Sequence, residues 1–524
     1  MGSPVVAGDA ILNRSVPLSM ETNHYHAVVY GDDLTGLVAS CLLAHRGLRT
    51  LLVGHDRVAP MVAAGPHLLG ALPSLLPTLE LGSLRRVFAE LNLIPIVRRR
   101  SEVLNPRAEL VLPQGRFDLG APDSELATAL GRAFPDVREH IRPILSRLTD
   151  MAAVLEPILS ADLSLPPIGF WERREAARYQ SRLPSRDTDA MAPLESTHPL
   201  RAGISAIASL SSNFAPSDLG RVPVAQSFAN ARRGFHRFPV GNGDLRAMLL
   251  EKLQTDSGEL RARAFPANIT FRRGRAAGIQ LRPRDEFIGS DHLIWAAPTS
   301  ELLPFCDEKS GRRLREFGVG IRPACYKYCL SALLSPEGLG SPRPSRTFSV
   351  LDPTRPLLED NAIVVTVGAP ARPEGPSAIW IECLVPAGVV TSDRSYLSFV
   401  RSRVLDHVRR LFPDWDRHVQ AIVSAHDGLA AEVRDESGLL CPVSTPTPIA
   451  SMPAVLSSDL PRSLDVGAVP HASGVKHLHL ASTENLPGLG LEGPFVSAWN
   501  VARIVAQGRQ RRMGTGGMML LGDA

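Results

Sequence analysis

Lysine is nearly missing from this 524-residue sequence, occurring only at positions 252, 309, 327 and 476. Arginine therefore carries almost all of the positive charge, and the formal net charge of +4 is small for the length. So one-sided a choice of basic residue reads as a bias of base composition rather than a nucleic-acid footprint. The basic runs Arg98-Arg99-Arg100 and Arg509 to Arg512 are short and lack interleaved aromatics. They read as solvated surface, and no nucleic-acid partner is expected. The six cysteines (41, 306, 325, 329, 383, 441) form no Cys-x-x-Cys pair. They read as buried free thiols in a reducing cytoplasm, with no metal site. No run of about 18 apolar residues exists, which excludes a membrane-spanning helix. Residues 1–19 lack the basic start and apolar centre of a signal peptide, so a flexible N-terminus on a cytoplasmic protein is expected. A P-loop is also absent.

What the sequence does have is a globular composition, 44% hydrophobic and 21% charged, over a length that supports two or more cores. One stretch organises the rest. From His26 an apolar run of strand type ends at Gly31-Asp32-Asp33-Leu34-Thr35-Gly36. A small-residue and leucine pattern of helical period follows to Gly47, and Leu51 to Val53 form a second apolar strand before Gly54-His55-Asp56. This is a β-turn-α-β unit. Gly31 and Gly36 stand at the first and third glycine positions of a dinucleotide-binding turn, and Asp33 stands at the second.

Further along, Ser83 to Leu93 is helix-like, and Glu102 to Leu119 alternates about a Pro-Gln-Gly turn, as a hairpin does. Ser124 to Leu159 has the spacing of two amphipathic helices, and 184–200 reads as a polar surface loop. A helix over Leu245 to Gln254 precedes strands at Glu259 to Ala264, Asn268 to Arg273, Ala277 to Arg282 and His292 to Ala297. More strand-like runs fall at Tyr326 to Leu334, Ala362 to Gly368 and Ser377 to Leu384, then a helix at Ser395 to Leu411. The last structured piece, Val475 to Ala506, holds a strand, a Pro-Gly-Leu-Gly-Leu-Glu-Gly loop and a helix from Phe495.

Three stretches together resemble the FAD-dependent phytoene desaturase and amine oxidase superfamily. The first is Gly36-Leu-Val-Ala-Ser-Cys-Leu-Leu-Ala-His-Arg-Gly47. The second runs from Gly241-Asn-Gly-Asp-Leu-Arg through Arg273-Gly-Arg to Trp295-Ala-Ala-Pro. The third is Leu478-His-Leu-Ala-Ser-Thr-Glu-Asn-Leu-Pro-Gly-Leu-Gly-Leu-Glu-Gly493. The resemblance implies an α/β fold: a discontinuous Rossmann-like domain of FAD type, three-layered around a parallel sheet, with an inserted α+β substrate domain. The dinucleotide-type domain would comprise 20–75, 235–300 and 456–512, the substrate domain 76–234 and 301–455, with a flexible tail at 513–524. FAD, hydride transfer from a lipophilic substrate and a peripheral membrane contact are implied with it. The cofactor contacts would fall on Gly31, Asp33, Gly36, Asp56, Ala267, Thr483, Gly488, Gly490 and Gly493. No catalytic acid or base is implied, since the flavin itself accepts the hydride.

Four of these contacts carry unexpected residues. Asp33 replaces the glycine that lets a backbone approach the pyrophosphate, and its carboxylate can instead cap the helix. Gly54 stands where the ribose-binding acid belongs, leaving Asp56 as the substitute. The adenine-pairing strand position is Pro266, which has no N–H, so a slip to Ala267 is required. The Gly-Asp pair of the C-terminal loop is Ser482-Thr483. Gly488, Gly490 and Gly493 suit either a backbone passing a flat ring or a tight turn before a helix. Two readings stay open: an FAD-dependent oxidoreductase with an atypical site, and a cofactor-free lipid-binding or scaffold protein on the same fold. Gly31-Asp-Asp-Leu-Thr-Gly36 is also similar to the start of four-carbon acid sugar kinases, a match confined to this short unit. His426-Asp427-Gly428 reads as a cavity-lining group or a capped turn.

Overall fold

The computed structural model describes residues 23–54, 61–104, 108–167, 169–183, 189–238, 242–306, 308–339, 345–370, 375–392, 395–443 and 449–518. Strand β1 (His24–Tyr30) runs into helix α1 (Leu34–His45) and strand β2 (Thr50–Val53). Ala27, Val28 and Val29 are fully buried, as in a parallel strand covered on both faces. The chain then builds helices, among them Asp123–Ala133, Arg138–Leu159, α2 (Pro199–Ser211) and Arg221–Arg233. It returns through α3 (Asn242–Thr255), β3 (Glu259–Arg261), β4 (Phe265–Arg272), β5 (Arg275–Arg282) and β6 (Glu286–Trp295). Four long strands follow, β7 (Ile321–Leu334), β8 (Arg346–Val350), β9 (Ala362–Pro370) and β10 (Ser377–Pro386). The C-terminal part adds β11 (Leu478–Leu480) and α4 (Gly493–Met518).

The first sheet has the order β3-β2-β1-β6-β5-β4, with β11 also on β6. Its pairings β3–β2, β2–β1, β1–β6 and β6–β11 are parallel. One face packs on α1, α3 and α4 through Leu37, Leu42, Leu249 and Val501. The other buries Val28, Leu51, Leu293 and Ile288 under the β4–β5 hairpin. The architecture is therefore the mixed α/β fold expected, with a parallel sheet between layers.

The second sheet has ten strands among the described residues, with β7-β10-β9-β8 at its centre and the hairpin Glu109–Leu112 and Gly115–Asp118 at one edge. Alternation sets its two faces. Tyr328, Ile363 and Ile381 point outward against Val400 and Val404 of the helix Tyr396–Leu411. Phe348, Val364 and Leu384 point inward, against α2 and against Leu486 and Leu489 of the C-terminal loop.

Several elements differ from the sequence reading. The hairpin begins at Glu109, because Glu102–Val103 pairs instead with Phe235–Arg237. The strand from Glu259 stops at Arg261, where β2, its parallel partner, also ends. Helix α4 continues to Met518, past the point where a frayed tail was expected. Helices α2 and Arg221–Arg233 were not foreseen. Asp56, residues 1–19 and the end of the tail lie outside the described residues. Of the cysteines, Cys41, Cys325, Cys329 and Cys383 are buried thiols, while Cys306 is partly covered and Cys441 is exposed.

Candidate functional site

The turn between β1 and α1 keeps the shape of a nucleotide-binding turn. Gly31 has φ +111°, and a Cβ there would lie 2.7 Å from the Ala296 backbone. A Cβ on Gly36 would lie 1.9 Å from the Gly31 carbonyl oxygen. Both glycines are thus demanded by close approach of strand and helix. Between them, Asp33 is the N-cap of α1, and its Oδ1 accepts the Gly36 N–H at 2.9 Å. The carboxylate satisfies an amide that a bound anion would otherwise use. Burial pushes the Asp33 carboxyl up to about 7, and neighbouring Asp32 adds to the rise, against the opposing pull of the Gly36 amide.

Asp32 is nearly buried and forms an ion pair with Arg246 of α3, whose guanidinium also donates to the Asp32 carbonyl. A Cβ built on Gly54, at the end of β2, would lie 2.9 Å from Asp32 Oδ2. The space in which a ribose-binding acid would begin is therefore held by a carboxylate from the turn itself. An acid at 54 would meet that carboxylate both sterically and by charge. Arg246 was missed in the sequence because its partner lies 214 positions away.

Ala267 falls in the bulge of β4 between Pro266 and Asn268, where the register with β5 shifts. Thr483 is exposed on a turn closed by Ser482, whose N–H donates to Asn485 Oδ1 at 2.7 Å. The next residue, Glu484, is buried and accepts the Thr299 N–H at 2.9 Å, anchoring this turn to the segment after β6. The three loop glycines meet the chain's own backbone. A Cβ on Gly488 would lie 2.7 Å from Val466 Cα, and one on Gly493 would lie 2.6 Å from the Leu486 oxygen. At Gly490, with φ +52°, it would lie 1.9 Å from the Ser211 oxygen at the end of α2. Tight packing accounts for all three. The structure thus brings Gly31, Asp33 and Gly36 together, while Gly490 packs on the end of α2, Gly488 on Val466 and Gly493 on Leu486.

Two further features bear on chemistry. Asp427 caps its own turn, accepting the Leu429 N–H at 2.9 Å, and also takes the Tyr328 hydroxyl at 2.7 Å and Arg401 at 3.4 Å. His426-Asp427-Gly428 is therefore a capped turn in which His426 and Asp427 are buried and Gly428 is exposed. Lys327, Arg346 and Glu382 project from the inner face of the second sheet; Lys327 donates to Asn213 Oδ1 at 3.1 Å. Charged residues at inward positions of apolar strands were the available signal for these three. Among the described residues no group of His, Cys, Asp or Glu is placed to hold a metal ion, and no helix is long and apolar enough to cross a membrane.

The fold is that of FAD-dependent amine oxidases and related oxidoreductases. An oxidoreductase from Methanosarcina mazei superposes with a TM-score of 0.55 at 15% identity, covering 91% of this chain and 99% of that one. Putrescine oxidase bound to putrescine superposes with a TM-score of 0.53 at 12% identity, over 92% of this chain and 99% of that one. A protein from Pyrococcus furiosus gives 0.52 at 14% identity, over 92% and 97%. No family model and no curated protein sequence matches the chain.

These likenesses raise FAD as the cofactor the fold implies, and the turn allows its fit to be tested. The outer glycines fit. The remaining groups do not: Asp33 holds an amide meant for the pyrophosphate, and the Asp32–Arg246 pair fills the space beside Gly54. A capped amide offers a diphosphate no donor, and the Asp33 carboxyl adds a like charge wherever it is ionised. The residues present do not fit the ADP half of FAD.

Proposed function

We propose that this chain is a flavin-free small-molecule-binding protein built on the oxidoreductase fold. The observation that carries the reading is the turn before α1, filled by the chain's own carboxylates in place of phosphate. The interior of the substrate half is the place for the ligand, a lipophilic small molecule. The purified protein is expected to be colourless and to leave the fluorescence of added FAD unquenched. A yellow protein releasing stoichiometric FAD on denaturation would overturn this reading. It would favour a phytoene desaturase-like oxidoreductase, supported by the intact geometry of Gly31 and Gly36.

A further inference from the structure

Arg346 is 3% exposed, and its Nε and Nη1 have no hydrogen-bond partner. Two rings hold its guanidinium, with Phe235 at 4.7 Å and Phe348 at 4.9 Å from carbon to centroid. Such a clamp fixes a cation without satisfying its N–H groups. Directly across the β8–β9 pairing stands Thr366, whose buried Oγ1 also lacks a partner. Glu382 and Lys327 project from the same face on the next two strands. Burial raises the Glu382 carboxyl and lowers the Lys327 ammonium to about 8, and each group feels the other and Arg346. Protein surrounds both, yet each keeps accessible surface, as side chains lining an interior space do. Two cations face one carboxylate there. An excess of one positive charge in a desolvated interior favours a single matching anion.

We propose that this space binds a small lipophilic carboxylic acid as its monoanion. The carboxylate pairs with the Lys327 ammonium, which keeps accessible surface, while the buried Arg346 guanidinium supplies a second positive charge from the wall. The apolar remainder lies on the hydrophobic part of the inner face. A single negative charge balances the site; a phosphate dianion would overshoot it. The site shares no residue with the turn before α1, so the outcome of an FAD titration leaves this inference untouched.

The test is calorimetric titration of the full-length protein with phenylacetate and with its neutral isostere phenylacetamide. The acid is expected to bind about tenfold or more tightly than the amide, because only the acid carries the negative charge that answers the two cations. Arg346→Gln should weaken phenylacetate by about tenfold or more while leaving the amide unchanged. Should that variant fail to fold, Glu382→Gln provides the opposite arm. It removes the competing carboxylate and should tighten phenylacetate several-fold, by about three- to tenfold. Equal affinity for acid and amide, or no binding of phenylacetate at millimolar concentration, overturns the proposal. So does a Glu382→Gln variant that binds the acid no better than the parent.

Discussion

A carboxyl group that titrates near neutrality gives Asp33 a signature measurable without any ligand. Its ordinary value is 3.8, and burial in the turn raises it to about 7. Between those values the folded chain holds a proton that the unfolded chain has lost. The stabilising contribution is complete below about pH 4 and disappears as the pH rises through 7. Asparagine keeps an oxygen acceptor for the Gly36 amide and cannot ionise. Asp33→Asn should therefore stabilise the protein at pH 8 by about 1–2 kcal/mol, with little change at pH 4. Urea unfolding at both pH values checks this, and an equal effect at the two would contradict the assigned titration. At this scale the sequence was legible wherever the relevant atoms are neighbours in the chain. Gly31, Asp33 and Gly36 declared themselves by spacing, because strand, turn and helix are consecutive. Arg246 could not, since only the folded sheet brings α3 to Asp32.

Elements with one apolar face were legible for the same local reason. The helices Asp123–Ala133 and Arg138–Leu159 bury Leu126, Leu130, Ile141, Leu145 and Leu148 at helical spacing, and solvate the rest. Helix α2 carries such a stripe too, with Leu200, Ile204, Ile207 and Leu210 at helical spacing. Leu200, Ala202, Ile204, Ala206, Ile207, Ala208 and Leu210 are all buried, so small residues face protein on nearly every side. What hides this helix is its start: the polar, proline-bearing run 184–200 reads as a loop, and Pro199 opens the helix inside that run. Its covering includes the C-terminal loop, and Gly490 is the point of closest approach. At φ +52°, with the Ser211 oxygen 1.9 Å from any added Cβ, alanine there needs a backbone shift as well as a strained conformation. Gly490→Ala should cost about 2–3 kcal/mol in urea unfolding. A neutral result would mean that Gly490 is free of α2.

At the scale of the whole molecule, the turn before α1 and the inner face of the second sheet carry charge of opposite sign. The turn before α1 presents two carboxylates, one neutralised by Arg246, while the inner face of the second sheet presents Lys327 and Arg346 against Glu382. The fold was readable from three separated sequence stretches because the parallel sheet requires all three. The charge pattern of the interior was not, since its residues come from β7, β8, β9 and β10 and meet only across the sheet. This asymmetry predicts which molecules stabilise the folded chain. A ligand that binds only the native state adds RT ln(1 + [L]/Kd), about 2.7 kcal/mol at a hundredfold excess over Kd. Phenylacetate should therefore raise the melting temperature. ADP, which carries the diphosphate without a flavin ring, should leave it unchanged, because Asp33 already occupies the amide and adds a like charge. Thermal melts with each compound alone separate the two halves. A rise with ADP would show that the turn accepts a diphosphate despite its carboxylates, and the flavin-free reading would then fail whatever phenylacetate does.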